Sequence, residues 1–132
     1  MPQPAASPEH LAEKELVRRL NASNTARQFG FVLAAAEPGR AVVRMRVAER
    51  HKQVHGVVHG GVLAALADTA GGLATYMSVP RGSRVATVEM KMNYLEPVEK
   101  GTVVADARMI RVGKTLAVVE CDLRDETEKA CG

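Results

Sequence analysis

Apolar and polar positions divide the chain into seven patterned runs. From Glu9 to Arg27, Leu11, Leu16, Val17 and Leu20 recur at about helical spacing, and Ser7-Pro8-Glu9 resembles an N-cap with proline in the first turn. One amphipathic helix is expected there, ending before Gly30. Phe31 to Ala36 reads as a strand, Pro38-Gly39 as a turn, and Val42 to Ala48 as a second strand with Val43, Met45 and Val47 on one face and Arg44 and Arg46 on the other. A polar loop over Glu49 to Val58 leads to Val62 to Met77, which is rich in Ala, Leu and Gly and apolar almost all round, the mark of a buried helix.

Three further runs alternate with the period of strands. Val85 to Leu95 sets Ala86, Val88, Met90, Met92 and Tyr94 against Thr87, Glu89, Lys91 and Asn93. Thr102 to Val112 gathers Val103, Ala105, Ala107 and Met109 on one face. Thr115 to Arg124 places Ala117, Val119, Cys121 and Leu123 inward and Glu120, Asp122 and Arg124 outward. Val112-Gly113-Lys114 is a hairpin turn, and Asp125 to Glu128 a turn before the start of another strand that looks cut short at Gly132. Each strand carries one polar face, so the expectation is an α+β fold, an antiparallel sheet covered on one side by helix. Residues 1–8 read as a flexible tail and 9–132 as one domain.

Composition narrows the partners. Aromatic residues are 3% of the chain and tryptophan is absent, so the core must be built from Val, Ala, Leu and Met. The net charge of +3 fits a mildly basic surface or attraction to an anionic ligand. Nucleic acid is not expected, because no Lys/Arg cluster interleaves with aromatics. No membrane span is expected either: the longest apolar stretch, 57–79, is interrupted by His59, Asp68 and glycines. Two cysteines, Cys121 and Cys131, make no disulfide framework, and the first residues lack a secretory signal, which points to the cytoplasm.

Two features carry chemistry. Asp68 interrupts Leu63-Ala64-Ala65-Leu66-Ala67-Asp68-Thr69-Ala70. Buried, an ionised carboxylate there needs donors and its pKa rises toward that of a useful base or nucleophile. Alternatively it lies on an exposed stripe of the helix or caps a local turn. His59-Gly60-Gly61 opens the same helix, where free N–H groups attract negative charge and glycine lets a ligand oxygen approach, as in an oxyanion site. A plain glycine-rich entry to the helix is the other reading. Gly60 and Asp68 are eight residues apart, about 12 Å along a helix. One carbonyl cannot meet both on one helix, so joint action requires two antiparallel helices across a two-fold axis. His51, His55 and His59 are spaced by four, yet Gly56, Val57 and Val58 disfavour helix there, and no metal site is expected.

His55-Gly56-Val57-Val58-His59-Gly60-Gly61 followed by Leu66-Ala67-Asp68 resembles the hotdog-fold thioesterases of the PaaI-like type. So do the run from Val88 to Pro97 and Gly113-Lys114-Thr115-Leu116-Ala117; the likeness spans about residues 9 to 131. The resemblance implies a long central helix wrapped by an antiparallel sheet, with an N-terminal helix, in a homodimer and usually a dimer of dimers. It implies hydrolysis of acyl-CoA thioesters, aliphatic or aryl, without metal or cofactor. Carried over, Asp68 activates water or attacks the thioester carbonyl, the Gly60 N–H polarises that carbonyl, and His59 positions the thioester or leaving thiolate. Thr87 assists the water. Gly61, Arg84, Gly113, Lys114 and Thr115 sit at the substrate and CoA. Gln53 stands where the family often has Asn, with the same amide one methylene farther out. A non-catalytic acyl-CoA-binding module on the same fold is the alternative.

Overall fold

The computed structural model describes residues 8–132, and side chains from residue 13 onward. Of the expected tail, residues 1–7 lie outside the described residues, and Pro8 already opens a helix. The elements in order are α1 (Pro8–Ala22), α2 (Asn24–Phe29), β1 (Phe31–Glu37), β2 (Arg40–Arg46), α3 (Gly60–Tyr76), β3 (Thr102–Val112) and β4 (Ala117–Arg124), with a single 3-10 turn at Glu49–His51.

The first helix is two. Ser23 interrupts it and caps α2, its hydroxyl accepting the Ala26 N–H at 3.2 Å. A serine competes for backbone groups at just such a position, which ends one helix and starts the next. The expected stop before Gly30 holds: that glycine adopts φ +71° and closes α2. Leu16 and Leu20 reach the core, whereas Val17, assigned to the same face, is 39% exposed.

The four strands form one antiparallel sheet in the order β1-β2-β3-β4. The β1–β2 hairpin turns at Gly39, φ +76°, and β3–β4 turns through residues 113–116, where the Gly113 N–H donates to the Leu116 carbonyl at 2.7 Å. A Cβ at Gly113 would stand 2.8 Å from that same carbonyl oxygen, so the tight turn demands glycine. Val43, Met45, Val103, Ala105, Ala107 and Leu123 project from the sheet onto α3, which presents Leu63, Leu66, Ala67, Ala70, Leu73 and Ala74 in return. Residues at these i, i+3, i+4 and i+7 positions form one buried stripe, the usual arrangement for a helix on a sheet.

Two expectations fail here. The helix over Val62 to Met77 is not buried all round: Gly61 and Asp68 are exposed, and Ala64, Ala65 and Gly72 half-buried. A single sheet covers only one side of a helix, so the opposite stripe of small residues stays open within the chain. The run Val85 to Leu95 forms no strand either; it is an extended segment outside the sheet, with Val88 81% exposed and Met90 41%. Its alternation is strand-like, but a strand needs a neighbour. Near its end the Leu95 N–H donates to the Cys131 carbonyl at 3.1 Å. The start of another strand after the Asp125–Glu128 turn is present as a bridge between Arg124 and Ala130.

Candidate active site

The site is assembled at the N-terminal half of α3. His59 is its N-cap, and its Nδ1 accepts the Gly61 N–H at 2.8 Å. A neutral imidazole accepting through Nδ1 carries its proton on Nε2, so exposed His59 offers a donor to whatever lies in front of the helix. A Cβ on Gly61 would meet the His59 ring at 3.0 Å, which explains the second glycine through the cap. The Val62 and Leu63 N–H groups donate to the His59 carbonyl at 2.9 and 3.3 Å. Of the amides that open α3, Gly60 N–H is thus left without an acceptor among the described residues. It is a donor at the positive end of a helix dipole, the feature that suits an oxyanion.

Tyr94 completes this corner. Its hydroxyl donates to the Gly60 carbonyl at 2.9 Å, and its ring would stand 3.2 Å from a Cβ at residue 60. The sequence signals Tyr94 only as a member of a strand face; its hold on Gly60 depends on where the extended segment crosses α3.

Two turns along α3, Asp68 stands on the open stripe with Gly61, Ala64, Ala65 and Gly72. Of the sequence readings of Asp68, the exposed stripe is the one that holds within the chain. Thr87 reaches it from the extended segment, its hydroxyl donating to Asp68 Oδ1 at 2.5 Å. One carboxylate oxygen is therefore fixed and the other left to face outward. Asp68 and Thr87, nineteen residues apart, are brought together; Gly60 and Asp68 remain about 12 Å apart along their shared helix.

The loop before α3 is held from within. Buried His51 accepts the Ala48 N–H through Nδ1 at 2.9 Å and donates from Nε2 to the Phe29 carbonyl at 2.8 Å, so both ring nitrogens serve the fold. Gln53 closes a turn whose Gly56 has φ +83°; its side-chain oxygen accepts the His55 N–H, and its N–H donates to the Val57 carbonyl at 2.9 Å. The amide NH2 of Gln53 is what remains to be offered outward. Arg84, Lys114 and Thr115 are exposed, Arg84 ahead of the extended segment and the other two with Gly113 in the β3–β4 turn. No hydrogen bond joins Arg84 to that turn among the described residues. Among those residues no group of three metal-ligating side chains converges, and no helix is long and apolar enough to cross a membrane.

Comparison with known proteins places this geometry. Residues 55–131 match the family described as the thioesterase superfamily. The chain is 34% identical over 122 residues to human acyl-coenzyme A thioesterase 13, covering 90% of this chain and 84% of the relative. It is 36% identical over 100 residues to a 1,4-dihydroxy-2-naphthoyl-CoA hydrolase of Listeria monocytogenes, covering 76% and 81%. Its structure superposes on the PaaI protein of E. coli, from the phenylacetic acid degradation operon, with a TM-score of 0.86 at 25% identity, covering 95% of this chain and 89% of that one. The free amide of Gly60, the threonine-held carboxylate of Asp68 and a helix laid on an antiparallel sheet thus sit in a chain that belongs to the thioesterase superfamily, a hotdog-fold thioester hydrolase of the PaaI-like type.

Proposed function

We propose that the chain hydrolyses acyl-CoA thioesters in a site shared by two copies, with Asp68 of one copy facing the Gly60 N–H of the other. The observation that carries this is the separation of the two groups on one helix while each is open to the same side. Gly60 offers an unpaired donor, Asp68 offers a free carboxylate oxygen, and the stripe between them is Gly61, Ala64 and Ala65, small enough for a second α3 to pass closely in antiparallel sense. The extended segment over residues 85–95 supports the same seam, since it presents unpaired backbone that a second copy can pair. Acyl-CoA follows from the named substrates of the relatives and from exposed Arg84 and Lys114, which suit the phosphates of CoA.

In this reading the thioester carbonyl oxygen lies on the Gly60 N–H, where negative charge builds as the carbon becomes tetrahedral. Asp68 works on the carbonyl carbon, directly or through a water that Thr87 and the Gln53 amide help to orient. His59 Nε2–H lies before the helix start and serves the departing thiolate. Gly61, Gly113 and Thr115 border the CoA. Water is the only co-reactant this chemistry needs, with no metal or cofactor.

The test uses two disabling variants and a mixture. Asp68→Asn lowers thiol release from a panel of acyl-CoAs by about 10²–10⁴-fold. Gly60→Pro deletes the amide hydrogen, and the Cβ it adds 3.2 Å from the Tyr94 ring is shared with the alanine control; proline is favoured at the first helical position, and His59, at φ −60° and ψ 133°, already has the conformation required before proline. It lowers turnover by about 10²–10³-fold, whereas Gly60→Ala, which adds the same Cβ but keeps the N–H, loses far less. Mixed and re-associated, the two dead variants regain activity, because one site in each hybrid has both groups intact. Hybrids that form and stay dead would overturn the shared site; tight acyl-CoA binding with no turnover by the unmodified protein would favour the binding module.

A further inference from the structure

A cavity of about 420 Å³ opens between α1 and α3, on the side of the central helix that continues from Asp68. Thr69, Gly72 and Tyr76 line its α3 wall, and Arg18, Arg19 and Ser23 its other wall. Residues 69, 72 and 76 are spaced by three and four, so they form one groove along the helix, starting beside the carboxylate and running about 10–12 Å to Tyr76. Gly72 is its floor. A Cβ there would meet nothing within 4 Å, so packing against the chain does not explain the glycine. A glycine inside a helix costs about 1 kcal/mol relative to alanine, and what it provides here is open space.

The far end of the groove is cationic and preset. Arg19 lies over the Tyr76 ring, its guanidinium carbon 3.8 Å from the centroid, and its Nε is 3.2 Å from Glu15. Its two terminal nitrogens make no hydrogen bond among the described residues. Arg18 grips both oxygens of the same Glu15, at 2.9 and 2.7 Å. Arg18, Arg19 and the charge of nearby Arg81 together hold the Glu15 carboxyl below its usual range, with the Arg18 hydrogen bond the largest cause. The guanidinium groups of Arg18 and Arg19 thus share one carboxylate, and the excess charge is positive. The stacked Arg19 fork is oriented before any ligand arrives, which lowers the entropy lost on binding.

Resting on the thioesterase reading above, we propose that this groove receives the acyl group and that Arg19, stacked on Tyr76, selects acyl chains ending in a carboxylate, the ω-carboxyacyl-CoAs. An extended eight-carbon diacid chain spans from the thioester beside Asp68 to a hydrogen bond with Arg19. A methyl-ended chain of equal length fills the same groove but leaves the two terminal guanidinium nitrogens without an acceptor.

The experiment compares suberoyl-CoA with octanoyl-CoA, which share chain length and CoA and differ only at the far end. The unmodified protein is expected to favour suberoyl-CoA in kcat/KM by about tenfold or more, the scale of one charge-assisted hydrogen bond, with most of the difference in KM. Arg19→Gln abolishes that preference, the kcat/KM of suberoyl-CoA falling to that of octanoyl-CoA. A protein that prefers octanoyl-CoA, or an Arg19→Gln variant that weakens both substrates equally, overturns the proposal; the second result would assign Arg19 to the phosphates of CoA. Equilibrium binding of both thioesters to the Asp68→Asn protein reads the same preference without turnover. No hydrolysis of either thioester by the unmodified protein, with the binding preference intact, would count against the thioesterase reading, not against the groove.

Discussion

The layer of α3 on β2–β4 and the segment over residues 85–95 carry equally clear sequence patterns and end in different states. In the first, each apolar face finds its counterpart in the same chain: Leu66, Val43, Ala105 and Leu123 are fully buried. In the second, the alternation from Val85 to Leu95 is as regular, yet Val88 and Tyr94 are mostly exposed and the backbone runs outside the sheet. Periodicity specifies which side of an element is apolar; it does not say which molecule supplies the cover. A pattern left unsatisfied within the chain therefore marks surface suited to another copy. The candidate catalytic groups lie on that same open side, whereas the sheet-facing side holds only packing.

The contrast breaks first at Leu66. Leu66→Ala removes a fully buried side chain between α3 and the sheet and should cost about 2–5 kcal/mol of stability. In urea titrations that loss appears at every protein concentration, and a cost well below 1 kcal/mol would mean that the layer is not the self-sufficient half. Val88→Asp probes the other half. Val88 is 81% exposed in the chain, so the charge does not disturb the single-chain core. Placed in a seam between copies it is desolvated, and association should weaken by about 2 kcal/mol or more. Sedimentation should then show smaller particles, with hydrolysis falling in parallel; an unaltered assembly with full activity would remove residues 85–95 from the seam.

What was legible follows the same line. The hairpins, α3 and the Thr102–Val112 strand are set by local signals, namely Gly39, Gly113, the His59 cap and two-residue alternation, so their bounds could be read within a few residues. The break at Ser23 could not, because a serine within an amphipathic run is also compatible with continuous helix. Asp68 was legible as an anomaly, and its partner Thr87 only by likeness to a family. The sequence offered Asp68 as buried or on an exposed stripe, and within the chain the exposed stripe holds, because one sheet covers only one face of α3. Tyr94 and the Arg19–Tyr76 stack join residues 34 and 57 positions apart, from elements whose approach no local pattern encodes.

The smallest expected effect sharpens the comparison on the outer face of the sheet, where charged side chains pair within the chain. Asp106 lies directly across from Asp122 in the β3–β4 register, a like-charge pairing that would weaken the sheet. Arg40 answers it with two bonds of 2.9 Å to the Asp106 carboxylate, and Arg108 lies 3.4 Å from Asp106 and 3.8 Å from Asp122. The Arg40 hydrogen bonds hold the Asp106 pKa below its ordinary value, against a smaller opposing push from burial. A carboxylate with a depressed folded pKa stabilises the fold fully above its unfolded pKa, and that stability is lost as pH falls through the folded one. The contribution should thus be constant at neutral pH and fade below about pH 4. Arg40 is 38% exposed, so solvent screening reduces the pair to about 1 kcal/mol. Asp106→Asn should lower stability by that amount at pH 7 and converge on the unmodified protein in acid, while acyl-CoA hydrolysis and association stay as they were. A shift in association instead would show that this face, too, is written for a partner.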